Sequence, residues 1–73
     1  MAKMKVLFTS ARSKPPFTYE VECDEVTNNA EVVKCYRYEG KKRVLICYAH
    51  KSEWVNISVI DMNDGTVTTI KGA

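Results

Sequence analysis

Residues 35–50, CYRYEGKKRVLICYAH, decide the fold of this protein. Two stretches rich in tyrosine and β-branched residues flank a basic turn that contains glycine, a pattern typical of a β-hairpin. Apolar side chains occur on both faces of this hairpin, whereas an antiparallel pair in a soluble protein usually needs only one apolar face. The sequence therefore raises the question of what covers the second face.

The turn leaves the register of the hairpin open. A two-residue loop places on one face Val33, Cys35, Val44, Ile46 and Tyr48, and on the other Val32, Tyr36, Tyr38, Leu45, Cys47 and Ala49. A three-residue loop shifts the pairing by one residue and exchanges the faces of the second strand. The groups then become Tyr36, Tyr38, Val44, Ile46 and Tyr48 against Cys35, Leu45, Cys47 and Ala49. Both faces are substantially apolar in either register.

Alternation of apolar and polar residues predicts the remaining strands. The clearest case is 17–23, FTYEVEC, and the others are 3–9, 31–39, 43–50, 54–62 and 66–71. Loops are predicted around Pro15-Pro16, where proline cannot donate to a ladder, and over 24–30, where Asn28-Asn29 favour a turn. The sequence NDGT, residues 63–66, predicts a tight hairpin turn because Asp-Gly supplies a positive φ.

Short turns between strands, without any helical period, predict a single all-β domain over residues 1–73. The expected architecture is an antiparallel meander of five to six strands that forms a curled sheet or a small barrel, comparable with OB or SH3-like barrels in size only. The first strand is a candidate edge strand, in which Lys3 and Lys5 would oppose unwanted pairing. A chain of 73 residues buries only about 60% of its unfolded surface, so self-association is an expected source of further burial.

Charge and cysteine content indicate a cytoplasmic protein. The net charge is +2, which is weak support for a polyanionic partner, and acidic and basic blocks alternate along the chain. The apolar run at the start, residues 6–8, is too short for a secretory signal, and no run is long enough to span a membrane. Three cysteines, an odd number, fit a compartment in which thiols stay reduced.

The three cysteines, Cys23, Cys35 and Cys47, are spaced twelve residues apart. Together with His50 they could supply four zinc ligands, but no close Cys-x-x-Cys pair is present, so neither a metal site nor a cofactor is predicted. A Cys35–Cys47 disulfide requires the register that places both on one face, and a reducing compartment opposes it. We interpret the thiols as structural.

The sequence offers little for catalysis, and we predict that the protein is not an enzyme. His50 is the single histidine and lies at the edge of a predicted loop near Lys51, Ser52 and Glu53, which do not supply the fixed geometry of a triad. An enzyme would require a concave pocket around His50 with shifted titration. No catalytic residue and no small-molecule substrate is therefore assigned.

The sequence favours a small non-catalytic binding module that mediates protein–protein interaction, either as a homodimer or with another protein. The alternative is binding of RNA or single-stranded DNA, in which bases stack on tyrosines within a basic surface. Both hypotheses use the same candidate binding residues, namely Tyr36, Tyr38, Lys41, Lys42, Arg43 and Trp54. For Trp54 the competing interpretation is a core residue.

Overall fold

Seven strands and one 3₁₀ turn make up the part of the chain that the computed structural model describes, residues 2–10 and 15–72. The strands are β1 (Met4–Ser10), β2 (Phe17–Cys23), β3 (Glu25–Asn28), β4 (Val32–Glu39), β5 (Lys42–His50), β6 (Asn56–Asp61) and β7 (Val67–Lys71), and the 3₁₀ turn is Lys51–Glu53. The predicted all-β class is confirmed.

The strands form two antiparallel sheets. The first has the order β2-β1-β6-β7 and the second has the order β3-β4-β5. Within the described residues the sheets do not close into a barrel, and the strands form two open sheets in place of one. The strand order also corrects the expectation for the first strand, because β1 lies between β2 and β6 and is not an edge.

Strand β3 was not predicted from the sequence. It lies within residues 24–30, where a turn was expected. It follows β2 after Asp24, so the chain passes there from the first sheet to the second. The backbone N–H of Asp24 donates to the carbonyl of Tyr36 at 2.8 Å, and the Asp24 carboxylate accepts from the backbone N–H of Tyr38 at 2.9 Å. These long-range bonds fix a strand that its own composition does not predict.

The core lies between the two sheets. The first sheet contributes Val6, Phe8, Val21, Cys23 and Ile57, and the second contributes Val33, Cys35 and Ala49. Strand β2 follows its predicted pattern only in part, because Val21 and Cys23 are buried whereas Phe17 and Tyr19 are about half exposed. The apolar face of β2 therefore runs beyond the region that the core covers.

The β4–β5 hairpin combines both predicted registers. Glu39 pairs with Lys42 around a two-residue loop, in which Gly40 has a φ of 64°, as the first loop position of a type II′ turn requires. Further along, Tyr36 pairs with Leu45 but Cys35 pairs with Cys47. One extra residue on β5 thus forms a β-bulge, which exchanges the faces of the rest of the strand.

The β6–β7 hairpin confirms the predicted turn at 63–66. The backbone N–H of Asp61 donates to the Thr66 carbonyl at 2.8 Å, and Gly65 has a φ of 76°. The Asp64 carboxylate accepts from the backbone N–H of Thr66 at 2.8 Å, and hydrogen bonding from Thr66 lowers the pKa of Asp64. Local side-chain bonding therefore supports the turn that the sequence indicated.

Candidate interaction surface

The second sheet has one face toward the core and one face, here called the outer face, toward solvent. The pairing of β3, β4 and β5 together with the bulge assigns to the outer face Glu25, Thr27, Val32, Lys34, Tyr36, Tyr38, Arg43, Leu45, Tyr48 and His50, with the bulge residue Ile46 beside them. The outer face is the second apolar face that was predicted from the sequence, for which no covering element was identified.

Large apolar side chains on the outer face are accessible to solvent. The exposed fractions are 47% for Tyr38, 47% for Leu45, 41% for Ile46 and 54% for Tyr48. Three of these residues lie within four positions of β5, and Tyr38 lies on β4 two positions from Tyr36, the partner of Leu45, so we group the four as one patch. Within residues 2–10 and 15–72 no element covers this patch, since β1 and β2 belong to the first sheet.

A polar network lies at the end of the outer face that is closer to the turn. The Tyr38 hydroxyl donates to Oε1 of Glu25, and Nη1 of Arg43 donates to Oε2 of the same carboxylate at 3.1 Å. The bond from Tyr38, assisted by the positive charge of Arg43, holds the pKa of Glu25 below its ordinary value. The same bond raises the pKa of Tyr38. The network joins β3, β4 and β5 through side chains.

Two aromatic rings of the outer face make cation–π contacts with basic side chains of the same chain. The Arg43 guanidinium carbon lies 4.1 Å from the ring centroid of Tyr36, and Lys34 Nζ lies 5.6 Å from that of Tyr48. The His50 ring packs edge-on against Tyr48 at 5.4 Å between centroids. Cation–π contacts therefore order a surface that is both aromatic and basic.

The structure brings together some of the predicted binding residues and separates others. Tyr36, Tyr38 and Arg43 lie in one contact network, and Lys41 and Lys42 are exposed at the tip of the same hairpin. Lys42 pairs with Glu39 on the opposite face of the sheet.

Trp54 lies elsewhere in the molecule. Its ring is 5.2 Å from that of Phe8 and 6.0 Å from that of Phe17, and it is half-buried against the core cluster. The core interpretation of Trp54 therefore describes its surroundings better than the interface interpretation.

Two features of the outer face were missed at the level of sequence. Glu25 was missed because its strand was read as a turn. The apolar pair Leu45-Ile46 was treated as one residue on each face, although consecutive apolar residues in an alternating strand are also a signal of a bulge.

A cavity of about 490 Å³ opens at the base of the β4–β5 hairpin. It is lined by Ala30, Glu31, His50, Lys51, Ser52, Lys71 and Gly72. This is the location in which an enzyme would need a concave pocket, and His50 both lines it and packs edge-on against Tyr48 of the outer face. The absence of catalysis stays a prediction.

The cysteines gather in the core. Cys23 and Cys35 are buried, Cys47 is half-buried, and all three are free thiols. The thiol of Cys35 hydrogen-bonds with those of Cys23 and Cys47, which lowers the pKa of Cys23 and raises that of Cys35. Burial raises the pKa of Cys47. In the described part of the chain no group of histidine, cysteine and carboxylate side chains has the arrangement of a metal site.

Comparison with known proteins yields no relative. No protein-family model matches the chain, and neither a curated protein nor a solved structure is detectably similar to it. Among the described residues there is no helix with the length and apolar character needed to cross a membrane.

Proposed function

We propose that this protein is a small non-catalytic binding module that self-associates as a dimer through the outer face of its second sheet. The observation that carries the proposal is the continuous patch of Tyr38, Leu45, Ile46 and Tyr48, each 41–54% exposed on a domain of only 73 residues. Contiguous apolar surface on a small soluble domain is typical of an interaction site.

The distribution of charge supports a second copy of the chain as the occupant. The basic residues Lys41, Lys42 and Arg43 lie together at the turn end of the hairpin, whereas the other end of the outer face carries one lysine, Lys34, beside Tyr48. In a symmetric dimer with antiparallel hairpins, the two basic turns lie at opposite ends of the interface and do not repel each other. The same patch is then buried on both copies.

The face is a better contact than the edge of β5. An unpaired edge strand of nine residues could add a strand from another chain. The bulge at Ile46 interrupts the regular spacing of N–H and C=O groups along that edge, and bulges of this kind protect edges from pairing. Side-chain packing between two outer faces does not depend on regularly spaced backbone N–H and C=O groups.

Sedimentation equilibrium of the purified protein tests the proposal. We expect a dimer at high micromolar concentration and a monomer for the double variant Leu45→Lys, Ile46→Lys, which places charge in the patch. The control is Val67→Lys, which introduces one lysine at a 57% exposed apolar position on the first sheet and should remain dimeric. Circular dichroism reports whether each variant is folded. A monomeric wild-type protein at high micromolar concentration would contradict the proposal.

Binding of RNA or single-stranded DNA is the outcome that would replace this proposal. The ring of Tyr36 is in contact with Arg43, and Glu25 places a negative charge on the same face. The contact with Arg43 opposes stacking of a base on Tyr36, and the negative charge of Glu25 opposes binding of the adjoining phosphate. Titration of a labelled single-stranded oligonucleotide at about 50 mM salt, where phosphate contacts are strong, should give no binding. Salt-dependent binding that Arg43→Gln weakens would favour the alternative.

We further propose that the protein resides in the cytoplasm, since its three cysteines are free thiols. Fractionation of cells that express the tagged full chain tests this location, and recovery from a secreted or membrane fraction would contradict it.

A further inference from the structure

Two of the three core thiols are direct neighbours across a pair of strands. Cys35 of β4 lies opposite Cys47 of β5, immediately beside the bulge. Opposite residues in an antiparallel ladder have Cα atoms about 4.5–5.5 Å apart, and disulfides span about 4.4–6.8 Å between Cα atoms. The backbone therefore already holds these two residues at the separation that a disulfide needs.

We propose that Cys35 and Cys47 are a reversible redox pair, which forms a cross-strand disulfide by exchange with a small disulfide such as oxidised glutathione. The two side chains share the core-facing side of the hairpin, where Cys35 is part of the core and Cys47 packs against it. The site is independent of the self-association proposed above, because it uses the opposite face of the sheet.

Access decides which thiol reacts first. Cys47 is half-buried, whereas Cys23 and Cys35 are fully buried in the core between the sheets. A dissolved disulfide can reach only a sulfur that solvent can reach. Cys47 is therefore the attacking thiol, and Cys35 is the resolving thiol.

The exchange proceeds in two balanced steps. Cys47 loses its proton, and its thiolate attacks one sulfur of oxidised glutathione. The glutathione S–S bond breaks, a Cys47–glutathione disulfide forms, and the glutathione thiolate leaves and takes up a proton. Cys35 then loses its proton and attacks Sγ of Cys47, which releases the second glutathione thiol. The protein loses two electrons and two protons, and oxidised glutathione gains them.

Cys23 is the competing partner for Cys35, because both residues are buried in the same core cluster. It lies at the end of β2 in the first sheet, so a Cys23–Cys35 bond would tie the two sheets together across the core. No strand pairing aligns these residues, and neither sulfur is accessible to an oxidant. The register of β4 and β5 favours Cys47.

Peptide mapping of the native protein tests the pairing directly. After incubation with oxidised glutathione, alkylation and trypsin digestion, the three cysteines fall in separate peptides, because cleavage occurs after Lys34, Arg37, Arg43 and Lys51. We expect peptides 35–37 and 44–51 to be linked and Cys23 to be alkylated once the protein is unfolded. Linkage of Cys23 to Cys35, a persistent glutathione adduct without an internal bond, or no reaction would overturn the proposal.

Two serine variants separate the roles of the thiols. Cys35→Ser should stop the reaction at the Cys47–glutathione disulfide, which mass spectrometry detects as one stable adduct. Cys23→Ser is the matched control, since it also removes a buried thiol, and it should still form the internal bond. Loss of the bond in folded Cys23→Ser would overturn the assignment. If either variant fails to fold, the wild-type peptide map remains decisive.

Discussion

Cys35 and Cys47 lie opposite each other in the β4–β5 ladder, although the turn at Gly40-Lys41 would by itself pair Cys35 with Ile46. The single bulge residue accounts for this change of register, because it exchanges the faces of the β5 residues that follow it. Its consequence is that Cys47 and Ala49 face the core while Tyr48 faces solvent. This one residue thus makes the two-residue turn compatible with burial of Cys47 and Ala49, and it also places Tyr48 on the outer face.

Replacement of Phe8 by alanine should cause a large loss of stability. Its side chain is fully buried between the sheets, and phenylalanine-to-alanine changes in cores cost about 3–5 kcal/mol. Since small domains have free energies of unfolding of about 0.05–0.15 kcal/mol per residue, we expect the variant to be largely unfolded. Urea denaturation followed by circular dichroism measures the effect. Phe17→Ala, at a 51% exposed position of the same sheet, should cost much less, and equal losses would contradict the assigned core.

Gly40→Ala should destabilise the hairpin by about 1–2 kcal/mol because an L-residue is strained at positive φ. A Cβ at this position would meet nothing within 4 Å, so the effect isolates backbone conformation from packing. Asparagine tolerates positive φ better, so Gly40→Asn should lose less stability than Gly40→Ala. The comparison uses chemical denaturation of both variants. A tolerated alanine would show that the loop adopts another conformation.

The pKa of Glu25 should depend on Tyr38. In the folded protein that pKa is lowered, chiefly by the hydrogen bond from the Tyr38 hydroxyl. This interaction stabilises the fold above the unfolded pKa of about 4.3, and the contribution is lost as the pH falls through the lower folded value. Carboxyl NMR titration of Tyr38→Phe should show the Glu25 pKa rising toward its ordinary value. Tyr48→Phe, on the same face but outside the network, should leave it unchanged.

Tyr38 itself should ionise later than an ordinary tyrosine. Its pKa is raised, chiefly because its hydroxyl donates to Glu25, and to a lesser extent because partial desolvation disfavours the phenolate. The contribution to stability is therefore complete below the unfolded pKa of about 10 and is lost as the pH rises through the folded value. Absorbance titration of tyrosinate should show a late component from Tyr38, and Glu25→Gln should shift that component to lower pH. A late component that persists in Glu25→Gln would contradict the network.

Most of the strands and the turns of the β4–β5 and β6–β7 hairpins could be predicted from the sequence, because they depend on local preferences. Alternation in residues 17–23 and glycines at positions 40 and 65 act over a few neighbouring residues. Strand β3 could not be predicted in this way, since its four residues are held by pairing with β4 and by the bonds of Asp24. The central position of β1 likewise depends on β6, which follows more than forty residues later in the chain.

The candidate site was predicted in part for the same reason. Tyr36, Tyr38 and Arg43 were recognised from their composition, and the structure places them in one network with Glu25. The exposure of Leu45 and Ile46 could not be read from the sequence, because it depends on the register beyond the bulge.

The sequence by itself determined that this chain is β-structured, that turns lie at Gly40 and Gly65, and that its central hairpin has two apolar faces. Only the tertiary structure decided which of those faces is buried, that three cysteines twelve residues apart meet in one core, and that Trp54 lies apart from the tyrosines. The physical reason is that backbone preference acts between neighbours in the chain. Burial is instead decided by the packing of one whole sheet on another.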